Sequence, residues 1–348
     1  MFKKSLAAVA VLGAFAASSM AADVQLYGVV DYGMIYTNSV EKTEGQSNKN
    51  VDKFELNSGV NSGSRFGIKA TEDLGNGYKV SFKLENGFEA DDGTMGQDNR
   101  LFGREASLSV SSSWGTLSAG RMGAISAAAG TYDFMALADA FDGGDGDING
   151  FVGTSRMDNM LVYQSPKVAG LQLTAEYSFK NDNKADDKRE GHSDANRYAG
   201  FALTGEYGDF QALAAYEQIL KSDTIGLGAE KADAKIVTVG GNYNCGFATT
   251  FVSGQYFENL DDTTDGYALH VGAQIPVAAG TLTTGLYYND KDNGATKGDS
   301  DYIGGSVKYE YPLSARTLVY GSVGYSEEDA GKTTTEFTQA YFGLTHTF

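Results

Sequence analysis

Ser64-Arg-Phe-Gly-Ile-Lys-Ala-Thr71 and, after a short turn, Tyr78-Lys-Val-Ser-Phe-Lys-Leu-Glu85 alternate apolar with polar side chains along their whole length. In the first stretch, Phe66, Ile68 and Ala70 share one face, and polar residues and a glycine share the other. A period of two residues is that of a β-strand whose two faces meet different surroundings. The two stretches therefore predict neighbouring strands joined by a tight turn.

The same pattern recurs to the end of the chain, where Ala340, Phe342, Leu344 and Phe348 share a face of the last segment. We find sixteen such segments, none of them with helical periodicity. They lie at 24–36, 62–73, 78–90, 101–112, 115–121, 156–166, 171–180, 197–206, 210–219, 235–244, 248–258, 266–276, 281–289, 301–311, 316–326 and 336–348. Because soluble β-sandwiches also alternate, the pattern alone does not separate them from membrane barrels.

The connections between the segments decide this question, because short and long ones take turns. Tight connections such as 74–77, 113–115 and 207–209 alternate with long polar ones. The long ones are 37–61, 91–100, 122–155, 181–196, 220–234, 259–265, 290–300 and 327–335. Short turns at one end and long loops at the other are typical of barrels of the bacterial outer membrane, and an even strand number closes the sheet. The sequence predicts an all-β fold, a 16-stranded antiparallel transmembrane β-barrel.

The composition excludes several other classes. The chain has 348 residues, a formal net charge of −18 and a mean hydropathy of −0.30, with 12% aromatic residues. Nucleic-acid-binding domains are usually basic, helical membrane proteins need runs of about 20 apolar residues, and disordered chains are poor in aromatics. Cys245 is the single cysteine, so no intramolecular disulfide can form.

The first residues have the organisation of an export signal. Lys3 and Lys4 precede an apolar run of 12 residues, 6–17, and small residues follow up to Ala21 and Ala22. This run is too short to span a bilayer as a helix. We therefore expect a signal peptide at 1–21 and one outer-membrane barrel domain at 22–348.

A barrel of sixteen strands leaves an aqueous channel, which suits passive passage of ions and small hydrophilic solutes. The longest connection, Met122 to Ser155, would narrow this channel if it folded inward. It would then carry acidic side chains to the narrowest point: Asp133, Asp139, Asp142, Asp145 and Asp147. The alternative is a surface loop that is merely long and acidic. Basic residues with inward parity, Arg65, Lys83 and Arg156, would face such a loop and create a transverse field.

Several motifs resemble one known family, the general trimeric porins of Gram-negative bacteria, in their betaproteobacterial and neisserial branch. The motifs are Val24-Gln-Leu-Tyr-Gly-Val-Val-Asp31, 63–77, 83–88, 100–106, Trp114-Gly-Thr-Leu-Ser-Ala-Gly-Arg121, 156–166, 313–320 and Phe342-Gly-Leu-Thr-His-Thr-Phe348. The resemblance implies an outer-membrane general diffusion porin, a homotrimer whose third loop folds inward. It also implies contact with outer-membrane lipids and lipopolysaccharide, and recognition of the terminal Phe348 by the outer-membrane assembly machinery. No nucleic-acid partner is expected.

The resemblance also implies that wall arginines face the third loop, at Arg65, Arg104 and Arg156. Strict alternation in 104–110 points Arg104 outward, so a bulge would be needed to turn it inward; Arg100 or Arg121 could take its place. The third loop departs from the neisserial pattern because it lacks proline and is rich in Gly and Asp. Wall arginines favour anions and the acidic loop opposes them, so the sign of selectivity is left open.

The sequence gives only weak support for a metal site or for an enzyme. Asp145 to Gly150 copies the first half of a calcium-binding loop, but the twelfth position is Arg156 where a Glu is required. A hydrolase would need a base; of the three histidines, His192 lies in a charged loop, His346 lies in the terminal strand motif, and His270 has no evident partner in the sequence. We expect no enzymatic activity and no cofactor, with loose divalent-cation binding by acidic loops left open. A substrate-selective channel, a barrel hydrolase and an acidic adhesin or structural barrel are the alternatives.

Overall fold

The computed structural model describes residues 24–127, 130–141, 148–181, 190–191, 195–220, 233–260, 264–293 and 298–348. The predicted signal peptide at 1–21, Asp142, Asp145, Asp147 and His192 lie outside these residues. Seventeen strand segments occur in the described part. They are β1 (Gln25–Thr43), β2 (Lys49–Ser58), β3 (Arg65–Gly75), β4 (Tyr78–Gly87), β5 (Glu105–Ser112), β6 (Gly115–Gly123), β7 (Arg156–Gln164), β8 (Leu171–Ser178), β9 (Arg197–Tyr207), β10 (Phe210–Leu220), β11 (Ala234–Asn244), β12 (Thr249–Leu260), β13 (Thr264–Val277), β14 (Gly280–Asp292), β15 (Asp299–Ser314), β16 (Thr317–Ala330) and β17 (Thr333–Thr347).

The seventeen segments occupy sixteen positions around one closed antiparallel sheet. β2 and β3 both pair with β1, β2 along its later part from Tyr32 and β3 along Gln25–Val29. They are therefore two parts of the second barrel strand, separated by residues 59–64. Each later segment pairs with the next along the chain, and β17 pairs with β1. The predicted 16-stranded barrel is confirmed.

The terminal residue completes the closure. Phe348 and Gly28 exchange two backbone hydrogen bonds of 3.0 Å. A Cβ atom at Gly28 would lie 2.3 Å from the Phe348 ring, so only a glycine leaves room for the ring on this strand. The last side chain of the chain therefore packs against the first strand.

Two of the predicted long loops, 37–61 and 327–335, are largely strand, and the described ends of a third, 290–300, belong to strands as well. Segment 37–61 forms the end of β1 and all of β2, and segments 290–300 and 327–335 extend their hairpins. In the outer parts of these hairpins both faces are largely polar, as where Lys42 pairs with Glu336 across β1 and β17, whereas Phe54 and Leu56 of β2 are apolar and exposed. The prediction of loops was wrong at these places because polarity on both faces resembles a loop in sequence.

The two faces of the sheet differ as the alternation predicts. The outer face exposes large apolar side chains such as Leu286, Val323 and Phe342. Polar side chains such as Asp31, Ser306 and Gln339 are buried on the inner face. No helix in the described residues is long and apolar enough to cross a membrane.

Residues 59–64, between β2 and β3, pack against the inner face. Val60 is buried in a cluster with Ile35, Tyr320 and Tyr341. The backbone N–H of Asn61 donates to Asp31 Oδ1 at 3.1 Å, and the Tyr320 hydroxyl donates to the same oxygen at 3.0 Å. We call residues 59–64 the inner segment.

Candidate functional site

The third loop, residues 124–155 between β6 and β7, lies along the polar face of β11 to β13 in its first half. Its backbone carbonyl groups accept hydrogen bonds from inward side chains of three successive strands. Asn242 donates to the carbonyl of Leu137 at 3.1 Å, Ser253 to that of Ala138 at 2.6 Å, and Gln274 to that of Ala140 at 2.6 Å. Each strand therefore supplies one polar side chain that holds the loop backbone.

The second half of the loop returns along the same wall. Asn289 of β14 donates to the carbonyl of Gly150 at 2.9 Å. The side-chain amide of Gln255 on β12 makes two hydrogen bonds with the backbone of Val152, of 2.9 and 3.0 Å. Both described halves of the loop are thus bound to the wall.

Asp139 anchors the loop near its far end. Its Oδ1 accepts from the Tyr287 hydroxyl at 2.5 Å and from the backbone N–H of Phe141 at 3.1 Å, and Asn149 donates to Oδ2 at 3.3 Å. The residue is only 5% exposed, and this burial raises the pKa of its carboxyl group above the ordinary value, although His270 nearby opposes the shift. Among the predicted acidic loop residues, Asp139 is a buried anchor, whereas Asp133 is exposed.

A cationic wall cluster lies on the first strands and the segment before β5. Its members are Arg65, Lys83, Arg100, Arg104, Arg121 and Arg156. Arg104 Nε lies 2.8 Å from Glu85 Oε1, and Lys83 Nζ lies 2.9 Å from Glu105 Oε2 and 3.5 Å from Glu85 Oε2. The Tyr27 hydroxyl also donates to Glu85, at 2.8 Å.

The alternation argument was wrong for Arg104. β5 begins at Glu105, so Arg104 precedes the regular strand and need not follow its alternation of inward and outward side chains. Its backbone N–H bonds to the carbonyl of Glu85, and its side chain is 7% exposed beside inward-facing groups. A Cβ atom at Gly63 of the inner segment would lie 3.1 Å from its guanidinium.

The remaining arginines gather around Asp158 of β7. Arg100 and Arg121 approach its carboxylate at 2.9 and 2.7 Å, and Arg121 Nε also donates to the carbonyl of Gly103 at 2.7 Å. Arg156 lies within electrostatic range of Arg104, Arg121 and Arg65. Arg65 donates to the Ser62 hydroxyl and the Gly63 carbonyl of the inner segment, both at 3.1 Å.

Sequence reasoning missed the carboxylates that accompany these cations, namely Glu85, Glu105 and Asp158. Parity places Glu85 on the same face as Lys83, so the signal for Glu85 was present. The cluster holds six cationic side chains against these three carboxylates, so positive charge remains in excess. Such an excess attracts anions in a confined aqueous passage.

His270 on β13 has partners that the sequence did not reveal. Its Nδ1 lies 3.2 Å from the Ala138 carbonyl and 3.4 Å from Ser253 Oγ, and its Nε2 lies 3.6 Å from Asp139 Oδ1. The residue types are those of a hydrolase triad. The Ser253 hydroxyl, however, donates to the loop carbonyl of Ala138 at 2.6 Å and is buried, so this group fastens the loop.

Comparisons with known proteins agree with this geometry. The sequence profile described as Gram-negative porin matches residues 7–331. An outer membrane porin protein of Bordetella pertussis is 31% identical, over 99% of this chain and 100% of the relative. Outer membrane porin protein 32 of Delftia acidovorans is 30% identical, over 93% of this chain and 89% of the relative.

Solved porins share the fold. An anion-selective porin from Comamonas acidovorans superposes with a TM-score of 0.65 at 22% identity, over 94% of this chain and 100% of that one. The outer membrane channel DcaP of Acinetobacter baumannii gives a TM-score of 0.66 at 15% identity, over 95% and 99%. With a family profile along most of its length, full-length relatives and a closed barrel, this chain belongs to the Gram-negative porin family and forms a diffusion channel in the outer membrane.

Proposed function

We propose that the chain is a general diffusion porin, and that ions and small hydrophilic solutes pass between its third loop and the cationic wall cluster. One observation carries the proposal. Between Leu137 and Val152 the described loop residues hydrogen bond to β11–β14, whereas the cluster is borne by β3–β7 and the segment before β5. Near the start of the loop, Thr131 and Tyr132 hydrogen bond to Glu105 and Ser118 at the edge of the cluster side. Because β2 and β3 share one position, β4 is third and β12 eleventh in a ring of sixteen, so these two strands lie opposite one another.

A weak preference for anions belongs to this proposal. The cations of the cluster outnumber its carboxylates, and Asp139, which was expected to oppose them, is engaged by Tyr287 and Phe141. The similarity to a porin described as anion-selective supports the same sign. An excess of fixed positive charge raises the local concentration of anions without a tight binding site.

Planar-bilayer recordings of the purified protein test the proposal. We expect large steps of conductance that rise in proportion to salt concentration, with a reversal potential in a salt gradient that favours the anion. Absence of conductance from a correctly folded protein would contradict channel function, whereas conductance with a cationic reversal potential would contradict only the selectivity.

A substrate-selective channel is the second candidate. A recess in the wall is lined by Lys69, Lys83, Thr71, Ser81 and Ser109, and these groups could bind a hydroxylated anion. Saturation of the current carried by one solute at millimolar concentration, with proportional current for others, would favour this reading.

We further propose a homotrimer embedded in outer-membrane lipid and lipopolysaccharide. The apolar outer face supports the lipid contact, and one structural neighbour is described in a trimer form. The position of Phe348, paired with Gly28 at the closure of the barrel, supports a part in assembly. Chemical cross-linking in outer-membrane vesicles tests the trimer, and deletion of Phe348 tests the assembly signal. No catalytic role is proposed for His270.

A further inference from the structure

Both ends of the third loop meet at one buried carboxylate, Glu217 on β10. The backbone N–H of Ser126 donates to Glu217 Oε1 at 3.2 Å, and the Thr154 hydroxyl donates to the same oxygen at 2.7 Å. Ser126 and Thr154 also hydrogen bond to each other, at 2.8 Å. We call Ile125, Ser126 and Thr154 the loop root.

A second carboxylate, Glu176 on β8, flanks the same place. In the strand register both glutamates pair with Gly200 of β9, so they stand on either side of it on the inner face. The hydroxyl group of Tyr198 lies over Gly200, where a Cβ atom would be 2.5 Å away. It is 2.9 Å from Glu217 Oε1 and 3.3 Å from Glu176 Oε2, and it accepts the backbone N–H of Ile125 at 3.1 Å.

These three side chains are buried. Tyr198 is 0% exposed, Glu217 1% and Glu176 3%. In the described residues neither carboxylate has an ion-pair partner, and Glu176 Oε1 and Glu217 Oε2 are buried without a hydrogen-bond donor. Tyr132 of the third loop lies within electrostatic range of both Glu176 and Glu105, and Lys180 follows β8 two residues after Ser178.

The number of protons does not match the number of acceptors. A tyrosine hydroxyl carries one hydrogen, so it can donate to only one of the two glutamates at a time. If both were ionised, two like charges would share a dry site with that single donor, which is strongly unfavourable. One added proton removes the repulsion and supplies the missing donor, as in other carboxyl pairs that titrate as a unit.

We propose that Glu176 and Glu217 hold one proton between them through Tyr198, and that this proton keeps the loop root in place. Glu176, Tyr198 and Glu217 are then positioning residues for the passage, acting through Ser126 and Thr154. Loss of the proton at alkaline pH puts two negative charges beneath the loop root, loosens it, and makes the passage fluctuate. The inference rests on the proposed passage between the third loop and the wall.

Glu176→Gln provides the central test, because glutamine keeps the size of the side chain and offers a permanent N–H donor. The porin reconstituted in lipid is measured by infrared spectroscopy and by single-channel recording, from neutral to alkaline pH. At neutral pH we expect the wild type to show the carbonyl band of a protonated carboxyl group that Glu176→Gln lacks. We expect wild-type closures to become more frequent at alkaline pH, and this dependence to be lost in Glu176→Gln.

Two further variants complete the experiment. Tyr198→Phe removes the bridging hydroxyl and leaves the backbone N–H of Ile125 without its acceptor, so closures should already be frequent at neutral pH. Glu206→Gln changes an exposed glutamate at the opposite end of β9 and should keep the wild-type pH profile. The proposal is overturned if the infrared spectra of wild type and Glu176→Gln agree in the carboxyl region, or if Glu176→Gln retains the wild-type pH profile. Ion passage itself is tested separately by the conductance at neutral pH.

Discussion

Lys308 of β15 donates a 3.0 Å hydrogen bond to the side-chain oxygen of Asn61 in the inner segment. Its ammonium group also lies 5.3 Å from the centre of the Phe141 ring, which belongs to the third loop. Asn61 in turn donates to Glu310, at 3.0 Å. One buried lysine, 2% exposed, therefore joins the two segments that fold onto the inner face of the barrel.

Replacement of Lys308 by methionine should loosen both segments. Methionine keeps the apolar stem but leaves the Asn61 oxygen without its donor and removes the cation–π contact, at a cost of about 1–3 kcal/mol in stability. We expect a lower temperature of unfolding, read from the heat-dependent gel mobility of the barrel, and noisier open-channel currents. Lys308→Arg retains the charge and donors and is the matched comparison. Equal noise in wild type and Lys308→Met would contradict the joining role.

Replacement of Arg156 by alanine should move selectivity toward cations. A unit charge acts on an ion about 8 Å away with about 0.5 kcal/mol even in bulk water. We therefore expect the anion-to-cation permeability ratio, measured as a reversal potential in a salt gradient, to fall at least about twofold. Arg316, in the short turn between β15 and β16, is exposed, and Arg316→Ala should leave the ratio unchanged. An unchanged ratio in Arg156→Ala would remove this residue from the passage.

Glu85→Gln should shift selectivity in the opposite direction. Glu85 accepts from Arg104 and Tyr27 and lies 3.5 Å from Lys83, so neutralising it leaves more uncompensated positive charge in the cluster. The permeability ratio should rise by about twofold, with a loss of stability of about 1–3 kcal/mol because charged hydrogen bonds are weakened. This prediction is tested by the reversal potentials of Glu85→Gln and of the double variant that carries both Glu85→Gln and Arg104→Gln. The double variant should return toward the wild-type ratio, and a further rise would refute the pairing.

The alternation of apolar and polar residues predicts the barrel, because the side chains of Phe66, Ile68 and Ala70 must face a different medium from those of their neighbours in sequence. Strand number and closure follow from local signals of this kind. Strand length does not, because a hairpin that continues into water, such as β1 with β2, is polar on both faces. The alternation of inward and outward side chains likewise holds only within a regular strand, and Arg104 lies one residue before β5 begins.

The candidate site was predictable in its charges and less so in its contacts. Arg65, Lys83 and Arg156 follow from parity and resemblance. The binding of the third loop by Asn242, Ser253 and Gln274 depends on which inward polar residues the loop meets far away in sequence. No local sequence pattern indicates which strand side chain binds which loop residue. For the same reason, Asp133 and Asp139 were equivalent in the sequence and differ in the fold.

Acid should stabilise the anchor at Asp139. Burial raises the pKa of this carboxyl group above its ordinary value, so the folded protein holds a proton more strongly than the unfolded chain does. A carboxyl group whose pKa is raised on folding lowers stability as the pH rises through the window between its unfolded and folded values. We therefore expect the temperature of unfolding to fall as the pH rises above the ordinary carboxyl value.

Asp139→Asn isolates this contribution. Asparagine keeps one oxygen to accept from Tyr287 and Phe141 but has no proton to lose, so the part of the pH dependence that arises at Asp139 should disappear. The curve of unfolding temperature against pH should be flatter in Asp139→Asn than in the wild type across that window. Asp133→Asn, at an exposed position of the same loop, should retain the wild-type slope. If Asp139→Asn and Asp133→Asn give the same slope, the burial of Asp139 has no energetic link to its ionisation, and its anchoring contacts act independently of pH.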